Sequence, residues 1–137
     1  MQAVNERQQK MSQVEKLTME AMHKLANKAL EIIPSRAAYF AQLVGVTYGR
    51  ITICNQKSRW ESCSGNGNLN FNCLLMLVPT EVLDYVIVHE LCHRKEVNHS
   101  QKFWAEVENI LPDYRKQKLW LKEHGDEIMM RMPGEIL

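Results

Sequence analysis

Tyr85-Val86-Ile87-Val88-His89-Glu90-Leu91-Cys92-His93 decides how the rest of this 137-residue chain is read. The run is apolar except at His89, Glu90 and His93. Pro79 suits the first turn of a helix and Glu81 favours its positive end, so a largely buried helix is predicted over Val82 to Leu91. Residues four apart share a helix face with Cβ atoms about 6 Å apart, so the His89 and His93 imidazoles can converge on one ion. Glu90 lies about 100° round the helix. It is placed to reach the open side of such an ion, hold a water there and take its proton, but not to ligate beside both histidines. Ionisable groups without partners would be costly in so apolar a helix, and a bound cation gives them a reason to be there.

A catalytic zinc takes three protein ligands and leaves a fourth position for water. His99 follows His93 after Arg94-Lys95-Glu96-Val97-Asn98, a polar stretch able to turn the chain back. One Zn²⁺ per chain is therefore expected on His89, His93 and His99, with Glu90 catalytic. Glu96 stands where the pattern H-E-x-x-H-x-x-G-x-x-H has glycine. A side chain there resists a positive-φ turn, so the backbone must take another route.

Working outward, the first ten residues are polar and expected to fray. From Met11, apolar residues recur at helical spacing (Val14, Leu17, Met22, Leu25, Ala29, Ile32, Ile33) until Pro34, which is expected to end the helix. Ser35 can cap a second, short helix that stops at Gly45. Val46 to Cys54 is β-branched and alternating, and predicts a strand. Arg59 to Ser64 and Leu69 to Asn72, around Gly65-Asn66-Gly67-Asn68, read as a hairpin. Leu74 to Val78 is ambiguous by period. Asn98 or Ser100 caps a helix with Phe103, Trp104, Val107, Ile110 and Leu111 inside, broken by Pro112. A last helix is expected from about Asp113 to Glu123, ending near Gly125, with a loosely held tail from Asp126.

The length suits a single domain over residues 1–137. Seventeen Lys and Arg against 16 Asp and Glu give a net charge of +1, which removes bulk attraction to nucleic acid or anionic membrane as the main route to a partner. The longest apolar run, Cys73 to Val78, cannot span a bilayer. Cys54, Cys63, Cys73 and Cys92 form no C-x-x-C pair, and no export signal is apparent, so reduced thiols in the cytoplasm are expected. Oligomeric state is not legible.

Further candidates surround the motif. Arg59, Asn70 and Tyr114 are candidate substrate-binding residues, Tyr114 as a donor to a developing oxyanion. Leu69 to Asn72 is the candidate sheet edge for an extended substrate. Tyr85, one turn before His89, reads better as core, and Cys92 as a packed thiol. The basic run Tyr114-Arg115-Lys116-Gln117-Lys118 reads as a solvated helix face before a nucleic-acid surface.

Lys57-Ser58-Arg59-Trp60-x-Ser62-Cys63-Ser64, Asn72, Pro79, the stretch from Tyr85 to His93, Asn98-His99-Ser100-x-x-Phe103-Trp104 and Leu111-Pro112-Asp113-Tyr114 together resemble the YgjP-like metal-dependent hydrolase family, a zincin family related to the WLM and SprT-like metallopeptidases. The resemblance runs over about residues 37 to 124. It implies zinc on His89, His93 and His99, with Glu90 as acid/base. The expected fold is α+β and zincin-like: N-terminal helices, a small antiparallel sheet, the H-E-x-x-H helix and C-terminal helices. The expected function is zinc-dependent hydrolysis of a peptide or protein substrate. A non-peptide bond such as a nucleotide phosphoanhydride, or a non-catalytic zinc-stabilised binding module, are the alternatives. Two departures stand out. Glu61 occupies the glycine of the family's R-W-G-S-C-S signature, which is expected to reshape the substrate cleft, and the chain precedes its core with a helical segment where the family carries a longer β-rich region.

Overall fold

The structure, a computed structural model, describes residues 15–55, 59–63 and 66–133. Helix α1 spans Met19–Val44. Thr18 starts it, its side-chain oxygen accepting from the Ala21 N–H at 3.0 Å. Gly45 ends it at φ 84°, a left-handed conformation that favours glycine, with its N–H on the Ala41 carbonyl. The expected break at Pro34 does not occur, and the two predicted helices are one. Ala29, Ile33, Ala37, Phe40, Ala41 and Val44 form a buried stripe that runs through the proline. Packing along that stripe outweighs the single hydrogen bond Pro34 removes, whose acceptor would be the carbonyl of Leu30 on the solvent face. The expected start at Met11 lies outside the described residues. Within them, the helix waits for the Thr18 cap.

Three strands follow: β1 (Ile51–Cys54), β2 (Glu61–Cys63) and β3 (Leu69–Asn72), in the order β1-β3-β2. The hairpin is present, with Glu61 opposite Phe71 and Ser62 opposite Asn70. The sheet is mixed, however, and not wholly antiparallel. Two reversals separate β1 from β3, so those strands run parallel, Ile51 beside Leu69. β3 is thus the central strand, and Leu69 to Asn72 cannot be the edge offered to substrate. The edge on that side is β2. β1 is also shorter than expected, because the Val46 N–H remains bonded to Ala41 at the helix end.

The ambiguous segment is a 3₁₀ helix, Cys73–Leu77, started by Asn72. The Asn72 side chain accepts from the Leu74 N–H and donates to the Arg59 carbonyl, tying β3 to the chain entering β2. Helix α2, Thr80–Cys92, is the expected buried helix. It packs against α1, where the Arg36 guanidinium grips Asp84 with two hydrogen bonds of 2.6 and 2.7 Å. Helix α3, Gln101–Ile110, is capped by Ser100 and stops before Pro112 as expected.

Helix α4, Tyr114–Met129, runs past Gly125. A Cβ at Gly125 would stand 3.4 Å from Trp60 Nε1, so this glycine serves a close approach to the Trp60 ring and does not end the helix. The helix passes Asp126, where a loosely held tail is expected to begin, and continues to Met129. Met129 and Met132 are buried with Met22, Cys73 and Leu74 in a cluster separate from the main core. The Leu17 N–H also bonds the Arg131 carbonyl. Ending the chain at Gly125 should therefore lower unfolding stability by at least about 3 kcal/mol, since two buried methionines contribute roughly 1.5–3 kcal/mol each. Urea denaturation monitored by tryptophan fluorescence measures this, and an unchanged midpoint would mean the segment is only loosely attached.

Candidate metal centre

His89 and His93 are one turn apart at the end of α2, and both rings point the same way. His93 is the cap residue immediately after the helix. The N–H groups of His93 and of the next three residues then bond the carbonyls of Glu90, Leu91 and Cys92, rounding the chain off tightly. No non-glycine residue among those described has positive φ, so Glu96 is passed without the left-handed step a glycine would permit. The chain returns at His99, just before the Ser100 cap of α3.

The result is a triangle of Nε2 atoms. His89 to His93 is 3.2 Å, His93 to His99 3.0 Å, and His99 to His89 3.2 Å. They are the one group of His, Cys, Asp and Glu among the described residues whose ligand atoms gather as a metal site would. A proton placed between two of these nitrogens leaves the third unserved, whereas one cation serves all three. A tetrahedral ion held at about 2.0–2.1 Å sets its nitrogens about 3.3 Å apart, close to the observed edges. Three imidazoles suit a transition metal better than Mg²⁺ or Ca²⁺, which take oxygen ligands.

Neighbours set the rings. His93 Nδ1 lies 3.1 Å from the Glu96 carbonyl, which can only accept, so Nδ1 carries the proton and Nε2 is left with its lone pair. His89 Nδ1 faces the Tyr85 hydroxyl at 3.4 Å. Phe103 lies against all three imidazoles, stacked on His93 at 4.4 Å between centroids and edge-on to His89 and His99 at 5.0 Å each. Trp104 stacks on both His99 and Tyr114, with Lys118 Nζ 4.1 Å from the indole centroid. The Phe103–Trp104 support was legible as a pair on the expected inner face, but not as the floor of the site. Its signal is the four-residue step from His99 to Phe103.

Burial pushes the His89 pKa down to about 3, with His93, His99 and Lys118 adding to the effect. His99 is lowered by the same kinds of cause, burial first. Both rings are thus neutral near pH 7, the form that ligates. Burial raises Tyr85, so its hydroxyl keeps its proton. It also pushes the Cys92 thiol up to about 12, which makes this a packed cysteine and a poor nucleophile.

The remaining candidates fall at different distances. Glu90 is buried, 2% exposed, at the centre of the motif. Glu61 shares the face of Phe71, the side that packs on α2, and its Oε1 is 3.8 Å from His89 Nε2. Burial pushes its pKa up to about 7. Tyr114 is buried beneath Trp104 at the start of α4, not on the surface. Asn70 faces the opposite side of the sheet from Glu61, donating to the Ser62 hydroxyl at 3.2 Å. The Arg59 side chain is exposed, and its carbonyl serves Asn72. Met129 and Met132 pack in the second cluster, away from the histidines.

A family model described as YgjP-like, metallopeptidase domain, matches residues 2–124, nine-tenths of the sequence. The chain belongs to the YgjP-like metallopeptidase family. Its fold is also that of two archaeal metallopeptidase zymogens. Abylysin of Pyrococcus abyssi is 19% identical with a TM-score of 0.60, the match covering 67% of this chain and 94% of that one. Jannalysin of Methanocaldococcus jannaschii is 24% identical with a TM-score of 0.59, covering 66% and 94%. No curated protein matches. Among the described residues no helix is long and apolar enough to cross a membrane.

If the triangle is the family's metal site in this chain, His99→Ala should lower Zn²⁺ affinity by more than about 100-fold, beyond the loss expected for a hydrogen bond to a ligand. His124→Ala should leave it unchanged, since His124 lies against Trp120 on α4. Competition with a chromophoric chelator measures both. Equal affinities in wild type and His99→Ala would remove His99 as a ligand.

Proposed function

We propose that this metallopeptidase is a zinc enzyme, with His89, His93 and His99 as ligands and Glu90 as the general acid/base. The reading is carried by the convergence of three Nε2 atoms within 3.2 Å of one another on an H-E-x-x-H helix. Bound there, zinc would supply Lewis acidity for a carbonyl and lower the pKa of water to about 7.

The chain's own residues do the rest. His93 is held in the ligating tautomer by Glu96, and Phe103 fixes the three ring planes. Glu90, shielded from bulk water, takes a proton from the attacking water and delivers it to the leaving amine. Its place within the H-E-x-x-H helix, one residue from His89, supports this role. Tyr114 remains the candidate donor to the oxyanion; its stacking on Trp104 supports a place near the histidines. An extended peptide is read as pairing along β2, the sheet edge nearest His89, through main-chain hydrogen bonds. The free thiols of Cys54, Cys73 and Cys92 support a reducing, cytoplasmic setting.

Glu90→Gln preserves shape and removes the base. It should retain zinc and fold while kcat on a peptide-library substrate falls by about 10²–10⁴. Elemental analysis and steady-state kinetics on the same preparations test it. Full turnover in Glu90→Gln with zinc retained would overturn the mechanism, and loss of zinc would make Glu90 part of the metal's coordination.

A further inference from the structure

Glu61 is placed at the histidine triangle by the fold itself. The β2–β3 register sets it opposite Phe71, on the face that packs against α2. From there its Oε1 reaches to 3.8 Å of His89 Nε2, with the side chain only 21% exposed. Among the described residues its one ion-pair contact is that histidine. A ligating histidine is neutral, so it cannot balance the carboxylate's charge. A carboxylate kept mostly from water without a cation is costly. A cation collected by the three imidazoles would stand beside it.

The distances also say how Glu61 would act. It is near one ligand nitrogen, yet does not belong to the set whose ligand atoms all lie within 4.8 Å of one another. It therefore stands beside the metal position and not in it. Resting on the zinc reading above, we propose that Glu61 is a positioning carboxylate for the metal. It stands on the β2 side of the ion, accepts a hydrogen bond from the oxygen ligand in the position the histidines leave open, and balances part of the ion's charge. Glu90 and Glu61 would then approach that position from two different elements, α2 and β2.

The test needs no substrate. Apo protein is titrated with Zn²⁺ against a chromophoric chelator, for wild type, Glu61→Gln and Glu61→Asp. Glu61→Gln should bind zinc 10- to 100-fold more weakly, and Glu61→Asp, which keeps the charge, should recover part of the loss. Thermal melting supplies a readout that a purely packing role would not produce. The apo form of Glu61→Gln should melt no lower than apo wild type, because the two side chains fill the same space, while its gain in Tm on adding zinc should be smaller. Zinc affinity within twofold of wild type in Glu61→Gln would overturn the proposal, as would an equal drop in Tm for the apo and zinc-loaded forms. If wild type itself binds no zinc, the metal reading fails first; if wild type binds and Glu61→Gln binds equally, only the role of Glu61 fails.

Discussion

Three imidazole nitrogens within 3.2 Å of one another are the constraint that organises this protein. Such a cluster forms only if one helical turn, one tight chain reversal and one helix start are held in register. Helix α2 supplies the turn between His89 and His93. The succession of backbone bonds from His93 to Glu96 supplies the reversal. The Ser100 cap fixes where α3 begins, and so where His99 sits and where Phe103 meets all three rings. Almost every other side chain of α2 is apolar and buried. The core therefore grips that helix along most of its length and leaves His89 and His93 partly exposed at its C-terminal end.

How much of this was legible depends on the range of the interactions involved. The H-E-x-x-H helix, the Ser100 cap, the stop at Pro112 and the hairpin around Gly67 are local patterns, and all are found. The single helix through Pro34 and the extension of α4 beyond Gly125 are not local. Each is decided by what lies across the interface: a buried stripe on α1 in the first case, the Trp60 ring and the methionine cluster in the second. Local propensity alone reads a proline or glycine as a stop. Here both residues sit where packing on either side outweighs that preference.

The sheet teaches the same lesson about direction. Alternation in Leu69 to Asn72 marks a strand but says nothing of its neighbours, so a strand with partners on both sides could be taken for an edge. Glu61 was conspicuous as a residue in place of a signature glycine. That its carboxylate points at His89, and that Asn70 points away, follows only from the pairing of Glu61 with Phe71 and of Ser62 with Asn70. A one-residue slip of β2 would carry Glu61 to the face that Asn70 occupies.

The centre is assembled from groups that oppose the stability of the empty protein. Two buried or mostly buried carboxylates belong to the elements around it: Glu90 within the H-E-x-x-H helix and Glu61 on β2, 3.8 Å from His89 Nε2. Their desolvation is offset by packing elsewhere: the α1 stripe on α2, the Arg36–Asp84 clasp and the methionine cluster under α4. A metal that binds the folded chain and not the unfolded one removes that opposition and adds its own binding free energy, rising with RT ln(1 + [L]/Kd). The parts of the fold far from the histidines are thus what allow the site to exist before the metal arrives. A metal held by the three histidines would in turn make the loaded form more stable than the metal-free one. Stability and chemistry meet in the same few residues of α2 and β2, which is why a helix so apolar carries three ionisable side chains within five positions.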